Sequence, residues 1–149
     1  MAEIKVQVKY LSHHHGLNKP QYQTSGAAGI DLTAANEQEI VIESGKIALV
    51  PTGICLEIPP GFEAQVRPRS GLALKYGITV LNSPGTIDSD YRGEIKVILI
   101  NLGKEKYIIS RGMRIAQLVV NKVTRILLTE CDSISKTERN AGGFGHTGV

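Results

Sequence analysis

Apolar and polar residues alternate in short runs along most of the chain, and this pattern predicts β-strands. In the first run, Ile4, Val6, Val8 and Tyr10 share one face, and charged or amide side chains occupy the other. Similar runs, separated by Gly, Pro, Asn and Ser, predict strands at 30–34, 39–43, 47–50, 54–58, 62–67, 78–81, 94–101, 107–109, 114–123 and 125–129. Only residues 70–76 have the composition of a short helix. We therefore predict an all-β protein with a jelly-roll-like β-barrel.

The end of the chain departs from the strand pattern. Residues 137–149 are rich in glycine, contain the aromatic side chain of Phe144 and have no apolar repeat. This composition suits a frayed terminus, but the glycine backbone and the flat ring would also suit a nucleotide ligand. We predict a barrel domain over residues 1–136 and a flexible arm over residues 137–149.

Composition narrows the class of protein. The 149 residues are 42% hydrophobic and 21% charged, a balance typical of one globular domain. No apolar run is long enough to span a bilayer and the N-terminal residues do not resemble a secretory signal, so we expect a cytoplasmic protein without a membrane partner. The net charge of +3 is spread along the chain, which argues against nucleic-acid binding and allows a small anionic ligand.

Three polar groups stand out within apolar or loop sequence. Asp31 follows AAGI, and because a buried carboxylate is costly, it must be capped by backbone donors or face a cation. Gln117 lies in an apolar strand and needs a hydrogen-bond partner, since an unsatisfied buried amide costs about 1–3 kcal/mol. Arg69 precedes Ser70 and Gly71, a group that forms either an ordinary turn or a phosphate cradle.

The densest polar stretch is NSPGTIDSDYRGE, residues 82–94. It is either a hairpin loop with solvated charges or a site. As a site, it offers the amide of Asn82 to read a base edge, the carboxylate of Asp88 to activate water, and the ring of Tyr91 to enclose a sugar.

Five segments together resemble a known family. In order, AAGIDL (27–32), RPRSGLA (67–73), NSPGTIDSDYRGE (82–94), RGMRIAQL (111–118) and RNAGGFGHTG (139–148) are similar to the five motifs of the homotrimeric deoxyuridine triphosphatases. The resemblance implies a jelly-roll subunit, a homotrimer with active sites at subunit interfaces, and hydrolysis of dUTP to dUMP and pyrophosphate with Mg²⁺ on the triphosphate. It also implies a purpose, which is to keep uracil out of DNA and to supply dUMP for dTMP synthesis.

The resemblance also implies roles for individual residues. Asp88 would be the general base, and Arg139 of the arm would close over the triphosphate. The implied substrate-binding residues are Arg69, Ser70, Gly71, Asn82, Thr86, Ile87, Tyr91, Lys96, Gln117, Phe144, Gly145, His146 and Thr147. Asp31 and Gln117 would hold Mg²⁺ through water only.

Two features depart from the family pattern, and two other functions compete. His146 replaces the more common serine, and His13, His14 and His15 lie outside the motifs, where we expect a surface loop. A dCTP deaminase-like enzyme of the same superfamily would attack the base rather than the phosphate. A catalytically silent jelly-roll binding protein would share only the fold.

Overall fold

The computed structural model of the protein describes residues 3–144. In chain order the strands are β1 (Gln7–Tyr10), β2 (Ile30–Thr33), β3 (Ile40–Ile42), β4 (Ile47–Glu57), β5 (Phe62–Arg67), β6 (Ile78–Val80), β7 (Gly85–Ile87), β8 (Glu94–Asn101), β9 (Tyr107–Ile109) and β10 (Arg114–Lys122). A 3₁₀ turn (Ser12–His14) follows β1, and a helix, α1 (Ser70–Tyr76), follows β5. The α-helix in the described part of the chain is too short to cross a membrane.

The strands form two antiparallel four-stranded sheets and one two-stranded sheet. Sheet A has the order β1-β4-β8-β6, sheet B has the order β2-β10-β5-β7, and β3 pairs with β9. One apolar core contains side chains of both large sheets, such as Val97 and Leu99 of sheet A and Leu32 and Leu118 of sheet B. The predicted jelly-roll β-barrel is therefore confirmed.

Strand β8 follows its sequence pattern closely. Its alternate residues Ile95, Val97 and Leu99 are buried, and the same face ends at Asn101, which is also buried. The Asn101 amide donates to the carbonyls of Ile42 and Glu105, both at 2.8 Å, and its Oδ1 accepts from the Gly103 N–H at 2.8 Å. These bonds satisfy a polar group in the core and tie β8 to β3.

Strand β4 is one strand where the sequence predicts two, at 47–50 and 54–58. Its pairing with β8 shifts register between Pro51 and Cys55, so the Pro-Thr-Gly sequence forms an irregularity within the strand instead of a break. Gly53 has φ +70°, and a Cβ there would lie 2.7 Å from the Cβ of His14. Residue 53 must therefore be glycine for the 3₁₀ turn to pack here.

The three histidines do not form the expected surface loop. His14 is 4% exposed, and its ring centroid lies 4.6 Å from that of Tyr10. His13 is half-buried against Glu94, and only His15 is exposed. The expectation was wrong because the Gly53 carbonyl accepts from the Leu11 N–H at 2.8 Å, which fixes the turn against β4.

Other differences concern the chain ends and β7. The predicted strand at 125–129 is wrong: residues 123–136 contain no strand, and Ile126, Leu127 and Leu128 are 77–91% exposed. Both edges of β10 are already occupied by β2 and β5, and no other strand of the described chain pairs with residues 125–129.

β1 is an edge strand with both faces exposed, and the three-residue β7 has no counterpart in the prediction.

Helix α1 lies at 70–76 as predicted and ends at Gly77. This glycine has φ +69°, and its N–H donates to the Ala73 carbonyl. A Cβ at Gly77 would lie 2.5 Å from the Gly103 nitrogen, while a Cβ at Gly103 would collide with the Tyr76 carbonyl oxygen. The two glycines thus allow two loops to touch backbone to backbone.

Candidate active site

A concave pocket of about 410 Å³ lies beside the loop that joins β7 to β8. Its lining residues are Leu49, Thr86, Ile87, Asp88, Tyr91, Glu94, Ile95, Lys96 and Ile98. This volume is within the range of small-molecule sites. The loop is not a hairpin, because β7 belongs to sheet B and β8 to sheet A. It therefore brings five predicted site residues to one pocket between the sheets: Thr86, Ile87, Asp88, Tyr91 and Lys96.

A tight turn fixes Tyr91 relative to Asp88. The Tyr91 N–H donates to the Asp88 carbonyl at 3.1 Å, and the Tyr91 hydroxyl donates to the Glu94 carbonyl at 2.9 Å. The ring lies over Gly93, where any Cβ would collide with it. The side chain that was predicted to enclose a sugar is thus held at both ends.

Asn82 lies next to the pocket rather than in its lining. A Cβ at Gly85, the first residue of β7, would lie 3.3 Å from Asn82 Nδ2, so the amide packs against the start of that strand. The Asn82 side chain is exposed and makes no hydrogen bond within the described part of the chain.

A second cluster of predicted residues centres on Asp31 in β2. Asp31 Oδ1 lies 3.3 Å from Arg69 Nε, and Asp31 Oδ2 lies 3.1 Å from Arg114. The question left open by the sequence is answered, since this carboxylate faces two guanidinium cations. Arg69 also donates to the Arg114 carbonyl at 3.0 Å, so the three side chains form one network.

Gln117 joins the same cluster through sheet B. It is the register partner of both Asp31 and Arg67, and its Nε2 donates to the Pro68 carbonyl at 3.1 Å. The hydrogen-bond partner that an amide in this strand requires is thus present. Ser70 and Gly71, which follow Arg69, begin α1. Arg69, Ser70, Gly71, Gln117 and Asp31 therefore lie near the junction of β5, β10 and β2.

Asp31 and the pocket residue Thr86 lie apart in a single chain. Asp31 is on β2 and Thr86 is on β7, which are the two outer strands of sheet B. Strands in a sheet lie about 4.8 Å apart, so three strand steps separate these edges by about 14 Å. Asp31 and Thr86 therefore lie on opposite edges of sheet B, while Arg69, which follows β5, lies nearer to β7.

The metal-ligand chemistry of these residues is limited to a few oxygen atoms. Among residues 3–144, no three His, Cys, Asp or Glu side chains come together as a metal site. Asp31 and Gln117 are register neighbours that offer oxygen ligands, and both Asp31 oxygens already face arginines. These two residues therefore do not form a metal site by themselves, and they would reach a hard cation only through water, with the ion held mainly by a ligand's own oxygens.

The start of the C-terminal arm forms a closed turn. The Thr137 N–H donates to Asn140 Oδ1 at 3.1 Å, and the Asn140 N–H donates to Thr137 Oγ1 at 3.0 Å. Arg139 Nε donates to the Gly142 carbonyl at 2.7 Å, and its two terminal guanidinium nitrogens make no hydrogen bond to residues 3–144. Phe144 is fully exposed, and the predicted Gly145, His146 and Thr147 lie outside the described residues.

Comparison with known proteins identifies the family. A family model described as dUTPase matches residues 17–148, nearly the whole chain. The chain belongs to the dUTPase family. It is 60% identical, over all 149 residues and the full length of the relative, to the deoxyuridine 5′-triphosphate nucleotidohydrolase of Rickettsia massiliae.

Solved structures of dUTPases share its fold. The dUTPase of Staphylococcus bacteriophage 80alpha, solved with dUPNHPP, is 27% identical with a TM-score of 0.83, and the match covers 97% of this chain and 99% of the phage chain. A dUTPase of S. aureus phage phi11, whose structure is described as showing the coordination of a structural Mg(II) ion, is 22% identical with a TM-score of 0.77. That match covers 87% of this chain and 98% of the phage chain.

The prediction for this dUTPase chain did not include the residues that support the pocket. Leu49, Ile95 and Ile98 line it from sheet A, and their apolar character made them indistinguishable from core residues.

Burial raises the pKa of Glu94, but hydrogen bonds from His13 and Gly53 and the charge of Lys96 outweigh this effect, and the pKa lies below its usual value. Glu94 was noted in its motif, but nothing in the sequence links it to His13.

Proposed function

We propose that the protein hydrolyses dUTP to dUMP and pyrophosphate by attack of water on the α-phosphorus. The observation that carries the proposal is the pocket in which Thr86, Ile87, Asp88, Tyr91 and Lys96 meet, in a chain of the dUTPase family. In a cell this reaction keeps uracil out of DNA and supplies dUMP for dTMP synthesis. A cytoplasmic location is part of the proposal, and the free thiols of Cys55 and Cys131 fit a reducing compartment.

Asp88 acts as the general base. Its exposed carboxylate lines the pocket and can accept a proton from a water molecule while orienting that water toward the phosphorus. General-base assistance of this kind contributes about 10²- to 10⁴-fold to a rate.

Tyr91 and its neighbours select the nucleoside. The ring encloses the deoxyribose and leaves no space for a 2′-hydroxyl, because hydrogen bonds to Asp88 and Glu94 hold it in place. Asn82, with the backbone of Thr86 and Ile87 and the nearby Lys96, reads the uracil edge, and Phe144 of the arm stacks on the base.

The second cluster and the arm bind the triphosphate. Its phosphates accept hydrogen bonds from the substrate-binding residues Arg69, Ser70, Gly71, Gln117, Gly145, His146 and Thr147 and from the catalytic Arg139. When bound, Mg²⁺ neutralises phosphate charge that would repel the attacking water. Asp31 and Gln117, which are register neighbours, would hold that ion through water only.

The active protein is a homotrimer with its sites at the subunit interfaces. Support comes from the separation within one chain: Asp31 and the pocket residue Thr86 lie at opposite edges of sheet B, so two chains can bring them together. The barrel of residues 1–136 supplies both parts, and the arm of residues 137–149 closes over the bound substrate and excludes water.

Parallel assays of dUTP, dCTP and UTP test the function. Pyrophosphate release from dUTP in the presence of Mg²⁺, without release from dCTP or UTP, is the expected result. Ammonia release from dCTP would identify a deaminase instead. Absence of turnover with all three nucleotides would overturn the proposal and leave a binding protein.

A further inference from the structure

Glu94 links the N-terminal 3₁₀ turn to the pocket. Its Oε1 lies 2.6 Å from His13 Nε2 and accepts from the Gly53 N–H at 2.9 Å, and its Oε2 lies 3.8 Å from Lys96 Nζ. The side chain is only 13% exposed. One carboxylate thus contacts a turn outside the family motifs, the irregular segment of β4 and a cation of the pocket.

His13 is the hydrogen-bond donor in this contact. An ionised carboxylate only accepts hydrogen bonds, so the proton between the two side chains must be on His13 Nε2. The interaction is short and charge-assisted, whereas the distance to Lys96 exceeds that of a hydrogen bond. Glu94 is therefore anchored mainly through Oε1, and Lys96 remains only loosely paired.

Glu94 affects two residues of the pocket, Lys96 and Tyr91. Lys96 lines the pocket and keeps its ammonium available because Glu94 is already satisfied by His13 and Gly53. Tyr91 depends on the same residue, since its hydroxyl donates to the Glu94 carbonyl. Without the His13 donor, Glu94 Oε1 retains a single hydrogen bond, and the carboxylate gains most by turning toward Lys96.

We propose that His13 is a positioning residue of the nucleotide site: through Glu94 it keeps Lys96 directed to the pocket and steadies the main chain that holds Tyr91. The inference rests on the proposed function, which makes the pocket the nucleoside site. His13 touches no substrate in this account and takes no part in proton transfer to water. Its effect is expected on substrate binding rather than on the chemical step.

The kinetic test compares His13→Ala and His13→Gln with His15→Ala. His13→Ala should raise KM for dUTP by about three- to tenfold and change kcat by less than about twofold. His13→Gln should recover most of the loss, because its side-chain amide can donate to Glu94. His15→Ala is the matched control, since His15 is the adjacent, exposed histidine. Equal KM values for all three variants and the wild type would overturn the inference.

A second measurement needs no substrate and separates this inference from the proposed function. In NMR spectra of the ligand-free protein, the His13 ring should show a protonated Nε2, and the Lys96 Cε and Nζ resonances should shift in His13→Ala but not in His15→Ala. Unchanged Lys96 resonances in His13→Ala would overturn the inference even in an active enzyme. Lack of dUTP turnover by the wild type, with the Lys96 shift present, would overturn the function and leave the structural link intact.

Discussion

The ring of Tyr91 lies directly over Gly93, and no Cβ can be added at Gly93 without displacing it. The ring is also held by its hydroxyl, which donates to the Glu94 carbonyl at 2.9 Å. The position of the Tyr91 ring therefore depends on the absence of a side chain at Gly93, as well as on the hydrogen bond of its own hydroxyl.

Substitutions at these two positions test sugar selection. Tyr91→Ala removes the ring and Gly93→Ala displaces it, so both should admit the 2′-hydroxyl of UTP. The ratio of kcat/KM for dUTP to that for UTP should fall by about tenfold or more in each variant. Gly26→Ala is the control, because a Cβ at Gly26 meets no atom within 4 Å. Wild-type selectivity in both variants would place the discrimination elsewhere.

Removal of the proposed base should abolish most turnover. Asp88→Asn keeps the shape of the side chain but cannot accept the proton, so kcat should fall by about 10²- to 10⁴-fold while the thermal midpoint stays near that of the wild type. Asp90→Asn changes an exposed carboxylate two residues away and should retain activity. An Asp88→Asn enzyme within about threefold of wild-type kcat would rule out this role.

Removal of the proposed arm should leave the barrel folded. A chain that ends at Ser135 keeps the ten strands found among residues 3–144 and should fold and form trimers, but it lacks Arg139 and Phe144 and should be nearly inactive. Mixing this chain with the Asp88→Asn chain should restore part of the activity through mixed trimers. If exchange of subunits is demonstrated by mass and activity still does not return, each site is built within one chain.

His14 should make stability depend on pH. Burial lowers the pKa of His14, and the charges of Arg111 and His13 lower it further. The folded protein then binds fewer protons than the unfolded chain, so His14 costs stability as the pH falls below its unfolded pKa of about 6.5. Urea unfolding from about pH 7.5 to 5.5 should show a smaller stability loss for His14→Phe than for wild type. Parallel curves would mean that His14 is not desolvated.

Asn101 should be a major stabilising residue of the core. Its side chain makes three hydrogen bonds, to Ile42, Glu105 and Gly103, and Asn101→Ala would leave all three backbone groups without this partner. The free energy of unfolding should drop by about 2–4 kcal/mol, at about 1 kcal/mol for each bond. Asn82→Ala, at an exposed amide, serves as the comparison in the same denaturation experiment and should change stability by less than about 0.5 kcal/mol.

The sequence predicts the strands well where alternation is set by burial. β8 follows the pattern because one face of it packs in the core. β10 was predicted from its apolar content instead, since it buries the adjacent pairs Ile115–Ala116 and Leu118–Val119. The segment 125–129 has the same apolar character but no strand beside it in this chain, and local pattern contains no information about partners. The prediction also divided β4 at residues 51–53, because local pattern does not show that Gly53 packs against His14 within a continuous strand.

The sequence predicts a set of site residues, and it does not predict how those residues are arranged in space. Asp88 and Tyr91 belong to one short segment, so their proximity follows from the chain itself. The distance between that segment and Asp31 depends on the strand order of sheet B, which local periodicity does not determine. His13 and Glu94 are 81 positions apart in the sequence, so local pattern could not predict their contact either.

The touching glycines at the end of α1 limit how this protein can diverge. A larger residue at Gly77 meets the backbone of Gly103, and a larger residue at Gly103 meets the backbone of Tyr76. In most packed pairs an enlarged side chain can be tolerated once its neighbour becomes smaller. Here the nearest obstructing atoms are main chain, of Gly103 in one case and of Tyr76 in the other, so a smaller side chain at the neighbour would not remove them. A second substitution cannot compensate for the first, so both positions are restricted to glycine.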